Sequence, residues 1–426
     1  MRDDAPMTMA RPTPPLHGGT DAGPPVLHDF STNAHPLGPP PVVLDAVLSA
    51  DRQRYPDPAY TALRAHLGQW HGVTPERVLP VAGGSEAIRR VSLAALLAGL
   101  RRVCVPEPGF ADYRAAAEAL GLDVVPYDSA QTLVGAMDRP CLVWICDPCN
   151  PTGSTLAADD WERVAQARQA SGSRVVVDQA YEPLRLAGAS ALPPLMAQAF
   201  WRLVCPNKAL GLTGVRAGYL LAPLQDDWCP TVQSLAASWV LSAEGEALLR
   251  AWASTEVQEE VADSHRLLRE WAIQQQCRLA DWGFQVLGSS VTNFWMARLP
   301  DLQAGPALDP ALDLDLDLGA ARLAVPPSLP LPPAQSGHRS TPSPAVTEPV
   351  LPASPAALLE ALRGHGIKLR DATSFGHPGC VRLSVQTPQA VDALVHALHR
   401  VLGPHTALTP SKVSAQLPHP FKEDAS

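Results

Sequence analysis

From about residue 77 onward, short β-branched runs alternate along the chain with stretches whose apolar residues recur at helical spacing. RRVCVPEP (101–108), LDVVPYD (122–128), CLVWICDP (141–148), RVVVDQAY (174–181), WRLVCP (201–206) and RAGYLLAP (216–223) read as buried strands. SEAIRRVSLAALLAGL (85–100), FADYRAAAEALG (110–121) and DDWERVAQARQA (159–170) read as helices. Strands interleaved with helices in this way predict a mostly parallel sheet covered by helices. Ligands of such sheets sit beyond the carboxyl ends of the strands, so polar residues just after an apolar run matter most. Asn150, Asp178 and Lys208 all stand at such positions.

Downstream, residues 232 to 285 read as long helices and SSVTNFWMARL (289–299) as a strand of a second, smaller domain. Between Leu299 and Ser354 the composition shifts to proline and alanine with an LDLDLDL repeat, and no apolar period could build a core there. Order is expected to resume at Ser354-Pro355, an N-cap followed by proline at the first helical position. The strand VRLSV (381–385) and the helix AVDALVHALHRVLG (390–403) then close the domain. The expected organisation is an N-terminal arm (1–50), a large domain (51–250), a small domain (251–405) carrying a disordered insertion (300–354), and a loose tail (406–426).

Composition narrows the function classes. The 426 residues suit two domains, and 46% hydrophobic residues can fill both cores. A formal net charge of −9 supplies no basic field for nucleic acid or an anionic membrane, so an anionic ligand must be held by a few placed arginines. No stretch approaches the roughly 18 apolar residues of a membrane span, and the amino terminus lacks the apolar run of a signal peptide, so a cytoplasmic enzyme is expected. The eight cysteines are scattered and expected to be reduced thiols. Cys146 and Cys149 have C-x-x-C spacing, but no second ligand pair follows, which favours a strand end running into a loop; no metal site is expected.

Three motifs carry the chemistry. DPCNPTG (147–153), DQAY (178–181) and NKALGLTGVRAGY (207–219) stand in the order and approximate spacing of the class I/II aminotransferase superfamily, and together they resemble it strongly. The resemblance implies pyridoxal 5'-phosphate (PLP) as cofactor and the α/β fold type I of PLP-dependent transferases. That fold has a large domain built on a mostly parallel seven-stranded sheet and a smaller α/β C-terminal domain. It implies that Lys208 carries the cofactor as a Schiff base, that Asp178 pairs with the pyridine nitrogen, and that Asn150 and Tyr181 donate to the phenolic oxygen. Arg216, eight residues after the lysine, would bind the cofactor phosphate. AGGSEAIRR (82–90) resembles the glycine-rich turn that opens a helix and holds that phosphate, with Gly84, Ser85 and Glu86 in contact positions. EPGFADY (107–113) resembles the loop whose aromatic residue stacks on the ring, which maps to Phe110.

The sequence departs from the family at several places. Cys205 replaces the usual phosphate-binding hydroxyl three residues before the lysine, and Asn207 precedes the lysine directly. Gln179 replaces the usual Glu, Cys149 an Asn, and the glycine turn lacks an expected Asn.

FSTNAHPLGPPP (30–41) and RYPDPAYTALRAHL (54–67) resemble the branch that contains histidinol-phosphate aminotransferase and L-threonine-O-3-phosphate decarboxylase. This resemblance implies a homodimer in which Tyr55 reaches the partner's cofactor phosphate. Arg370 of GIKLRD would bind a substrate phosphate, Arg382 of CVRLSV would grip the α-carboxylate through a bidentate fork, and Asn33 would lie near the substrate. His17 and Gly18 of a leading His-Gly-Gly, together with the PGFADY loop, tilt the expectation toward a threonine-phosphate decarboxylase of cobalamin biosynthesis acting on a small phosphorylated amino acid. An aminotransferase of the histidinol-phosphate type is the alternative, and a non-catalytic PLP-binding protein is the alternative of another class.

Overall fold

A computed structural model describes residues 17–302 and 351–403. Most of the expected insertion and the expected tail lie outside the described residues. The strands are β1 His28–Asp29, β2 Val78–Val81, β3 Arg102–Pro106, β4 Asp123–Tyr127, β5 Leu142–Cys146, β6 Arg174–Asp178, β7 Trp201–Val204, β8 Gly218–Leu221, β9 Gln285–Leu287, β10 Phe294–Arg298, β11 Ile367–Lys368, β12 Arg370–Asp371 and β13 Cys380–Ser384.

Seven of these form the main sheet in the order β2-β8-β7-β6-β5-β3-β4. Neighbours pair in parallel except at β8, which runs antiparallel to both β7 and β2. The expected mostly parallel, helix-covered sheet is therefore the fold. Every residue of β5 is buried, as an apolar run covered on both faces requires. Strand β2 and the helices Pro41–Leu48, Thr61–His71 and Ala130–Ala136 add elements that the sequence pattern did not single out. The long helical stretch after residue 232 resolves into Ala243–Trp252 and the 26-residue Thr255–Ala280, each opened by a serine whose side chain caps the first turn.

A four-stranded sheet, β12-β13-β10-β9, builds the smaller part. Ser354 caps the helix Pro355–Gly364 by accepting from Ala357 N, with Pro355 at its start, as the sequence predicts. The N-terminal arm pairs with this part. β1 pairs in parallel with β11, Phe30 N donates to Lys368 O at 2.8 Å, and Ser384 N donates to Phe30 O at 2.9 Å. Among the described residues no helix is long and apolar enough to cross a membrane.

Candidate active site

The carboxyl ends of β2, β3, β5, β6 and β7 open onto one cavity of about 420 Å³. This follows from the parallel arrangement, in which every strand delivers the residues after it to the same edge. β5 brings Asn150, β6 ends in Asp178 and leads to Tyr181, and the turn after β7 brings Cys205 and Lys208. Phe110 follows β3, and Gly84 and Ser85 open the 14-residue helix Gly84–Leu97 after β2. Arg216 enters from the approach to β8, while His17, Gly18, Asn33, Arg370 and Arg382 close the opposite side. Fourteen of the sixteen residues expected in the site thus line one cavity.

Glu86 and Tyr55 do not line it. The Glu86 carboxylate turns back to Arg90, at 2.6 and 2.7 Å, and to Ala82 N at 3.1 Å, so its side chain braces the glycine turn. Tyr55 is 77% exposed and stacks on Trp239, with ring centroids 4.4 Å apart.

At the base of the cavity Asp178 is buried. Its Oδ2 accepts from the Tyr113 hydroxyl at 2.7 Å and its Oδ1 from Ala180 N at 3.0 Å. Burial pushes this carboxyl above the ordinary carboxylate value, against the opposing pull of Tyr113, the Lys208 charge and Ala180 N–H. Lys208 Nζ sits 5.1 Å from the centre of the Tyr181 ring. Burial lowers the Lys208 pKa, but the acidic groups beside it, Tyr181, Cys205 and Asp178, outweigh it and turn the net shift above the usual lysine value, with the Asp178 carboxylate the one that bears charge near neutral pH. Burial also pushes the Cys205 thiol up to about 12, so it remains a neutral thiol at physiological pH. The backbone carrying Lys208 is tied to the arm, since His35 N donates to Lys208 O at 2.9 Å.

At the opposite side Arg382, only 5% exposed, donates to Asn150 Oδ1 and, at 2.6 Å, to Ser31 O. Burial, reinforced by neighbouring Arg370, lowers its pKa to about 10, which leaves it charged. Because Asn150 Oδ1 is taken, the amide NH₂ is its remaining polar group and a donor. Arg370 donates to Asp371 O at 2.7 Å and Ser374 Oγ at 2.8 Å, and lies 4.9 Å from the Phe375 ring centre. Asn33 Nδ2 donates to Tyr181 OH at 3.2 Å, while its buried Oδ1 has no hydrogen-bond partner.

Tyr113 is a site residue that the sequence motifs did not single out, as are Ser31 and Phe375. Tyr113 stands three residues after Phe110, one turn along the helix Ala111–Ala119, and that spacing to an aromatic anchor was the available signal. Cys146 ends β5 and lines the cavity, Cys149 lies in the turn beyond, and both are free thiols. Among the described residues no group of three or more His, Cys, Asp or Glu could hold a metal ion.

The model of the family described as Aminotransferase class I and II matches residues 26–398. The chain belongs to that family. Over 391 residues it is 28% identical to a histidinol-phosphate aminotransferase of Halorubrum lacusprofundi, covering 88% of this chain and 89% of that one. In structure it resembles histidinol-phosphate aminotransferase from Sinorhizobium meliloti in complex with pyridoxal-5'-phosphate, with TM-score 0.62, 22% identity, and coverage of 89% of this chain and 91% of that one. It also resembles L-threonine-O-3-phosphate decarboxylase from Porphyromonas gingivalis, with TM-score 0.64, 18% identity, and coverage of 87% and 98%. These likenesses establish the fold type I of PLP-dependent transferases, and family membership makes the chain a PLP-dependent enzyme.

The cavity of this aminotransferase class I and II member fits the cofactor. It offers a flat aromatic face in Phe110, an amine in Lys208, a buried carboxylate in Asp178 and a helix N-terminus beside Arg216 for a phosphate. Gly83, at φ +89°, leaves the room that the guanidinium needs, because a Cβ there would stand 2.5 Å from Arg216 Nη2.

Proposed function

We propose that this enzyme is an aminotransferase whose amino donor carries an anionic group at its far end, of the histidinol-phosphate type. One observation carries the reading. Arg370 and Arg382 are register partners across the antiparallel pair β12 and β13, both buried and both facing the cavity. Two like charges in register repel each other, so the pair is arranged for anions placed between or beside them. Arg382 suits the α-carboxylate of the second, acidic substrate, and Arg370 suits the phosphate.

In this reading Lys208 holds the cofactor through its amine and moves the proton at the substrate α-carbon. Asp178 faces the pyridine nitrogen, Asn150 and Tyr181 donate to the phenolic oxygen, and Phe110 covers the ring. Gly84, Ser85, Cys205 and Arg216 take the phosphate, with the Glu86 backbone at the same turn. The bound cofactor supplies an electron sink for the α-carbon. Asn33, with its open Oδ1, lies within the substrate's side of the cavity. The exposed Tyr55 beside Trp239 suits a homodimer in which it reaches the partner's site.

The curated relatives support transamination over the decarboxylation expected from the amino-terminal His-Gly-Gly. Threonine-phosphate decarboxylation is kept as a second reading because His17 and Gly18 do line the cavity. The deciding assay compares glutamate formation from histidinol phosphate and 2-oxoglutarate with carbon dioxide release from L-threonine O-3-phosphate. Glutamate without carbon dioxide is expected. Carbon dioxide without glutamate would replace the first reading by the second.

A further inference from the structure

Residues 17–24 lie as a strap across the substrate side of the cavity, and His17, Gly18, Gly19 and Thr20 line it. Gly18 packs on the carbonyl that holds Arg382. A Cβ there would stand 2.0 Å from Ser31 O and 3.3 Å from Arg382 Nη2. Gly19 N donates to Ser31 Oγ at 2.9 Å, and His17 Nε2 lies 3.2 Å from Asp112 Oδ1.

The strap has no helix or strand, and residues 20–25 are exposed, so apolar burial contributes little to holding it. A charge cluster does so instead. Asp21 accepts from Arg363 Nη1 at 2.9 Å and Nη2 at 2.6 Å, and from Lys368 Nζ at 2.6 Å. Arg363 also donates to Pro24 O at 2.8 Å, and Lys368 Nζ donates to Gly19 O. Gly23 packs against the Arg363 guanidinium, where a Cβ would come within 2.7 Å of its carbon. The hydrogen bonds from Arg363 and Lys368 hold the Asp21 carboxyl far below the usual carboxylate range, so the cluster stays ionised. Lys368 belongs to the same extended run as Arg370, two residues on, so one segment carries both the grip on the strap and an arginine of the cavity.

We infer that Asp21, clasped by Arg363 and Lys368, is a positioning residue that seats His17–Gly19 over the substrate side of the cavity, beside Arg382 and Ser31, and so sets substrate affinity without touching the reacting atoms. The inference rests on the reading of this cavity as an amino-acid site. Asp21 is 46% exposed, and exposed pairs are individually weak and screened by salt. A clasp of this kind governs local docking and leaves the global fold alone.

The test measures backbone hydrogen exchange and steady-state kinetics on the PLP-loaded enzyme and its Asp21→Ala, Asp21→Glu and Arg363→Ala variants. In Asp21→Ala, exchange across residues 17–26 should rise about tenfold, and KM for the amino donor should rise by a similar factor, as expected for the loss of two cooperating exposed pairs. The kcat value, PLP retention and exchange in the main sheet should stay within about twofold, since none of the clasp residues lies in the sheet. Asp21→Glu should recover most of the loss, and added salt should move the wild type toward Asp21→Ala. Unchanged strap exchange would overturn the clasp. Faster strap exchange with KM unmoved, or a fall in kcat with KM held, would overturn its link to substrate affinity. A wild-type enzyme that turns over no amino donor, phosphorylated or unphosphorylated, would sink the reading of the cavity instead, while strap exchange in Asp21→Ala still decides for or against the clasp.

Discussion

Tyr113 and Asp178, 65 residues apart in sequence, meet at 2.7 Å in the floor of the cavity, with the tyrosine wholly buried and its hydroxyl given to the carboxylate. The contact opposes the burial that pushes the Asp178 pKa up. Tyr113→Phe should therefore raise that pKa further. The carboxylate form is then lost at higher pH, so the acid limb of the pH–rate profile should move upward. A hydrogen bond to a charged group contributes about 1.5–3 kcal/mol, so PLP should bind roughly ten- to a hundredfold more weakly. Equilibrium dialysis of PLP and the pH profile check this, and an unmoved acid limb would remove Asp178 from the role assigned to it.

The in-register arginines predict a split in specificity. Replacing Arg382 by Ala should cripple turnover of every substrate with an α-carboxylate, 2-oxoglutarate included. Replacing Arg370 by Ala should cost phosphorylated substrates about a hundredfold or more in kcat/KM and unphosphorylated ones less than about tenfold. Parallel kinetics on one phosphorylated and one unphosphorylated amino donor check this. Equal losses on both would show that Arg370 does not read the phosphate.

Cys205 offers a gain of function. Its buried, neutral thiol is a weak donor where a hydroxyl would serve better, and its surroundings are tight at Gly218, where a Cβ would stand 3.1 Å from the sulfur. Cys205→Ser is close to isosteric and should tighten PLP binding about three- to tenfold, the increment of one better hydrogen bond. Dialysis titration with PLP measures it, and weaker binding would separate Cys205 from the phosphate.

Two histidines, His35 buried and His71 half-buried, predict an acid limit to stability. Burial, with His265 adding to it, pulls His35 down to about 4 where it meets Ser264 Oγ at 2.8 Å. Partial burial, with Arg202 adding to it, pulls His71 to about 4 where it meets Tyr219 OH at 2.8 Å. Both folded-state values lie below the ordinary 6.5, so the unfolded chain takes up protons first as the pH falls. Stability should fall between about pH 6.5 and pH 4, by on the order of 2 kcal/mol for each histidine. Urea unfolding at several pH values in this range tests the slope, and His71→Gln, which keeps a polar partner for Tyr219 but does not titrate, should remove about half of it.

The chain's local patterns determined the parallel sheet, because unbroken apolar runs such as LVWIC and RVVVD have few other ways to be buried. The same patterns marked Asn150, Asp178 and Lys208, since residues at the carboxyl ends of parallel strands converge by topology alone. The short strand β2 and the helix Ala130–Ala136 escaped notice because four to seven residues carry too little periodicity to stand out. Tertiary structure alone decided the rest. Arg382 reaches Ser31 across 351 positions and Lys368 reaches Gly19 across 349, contacts set by the register of β11 to β13 and the path of the N-terminal arm. No local periodicity encodes such pairings, because they depend on which strand edges the arm finds once the two sheets have formed.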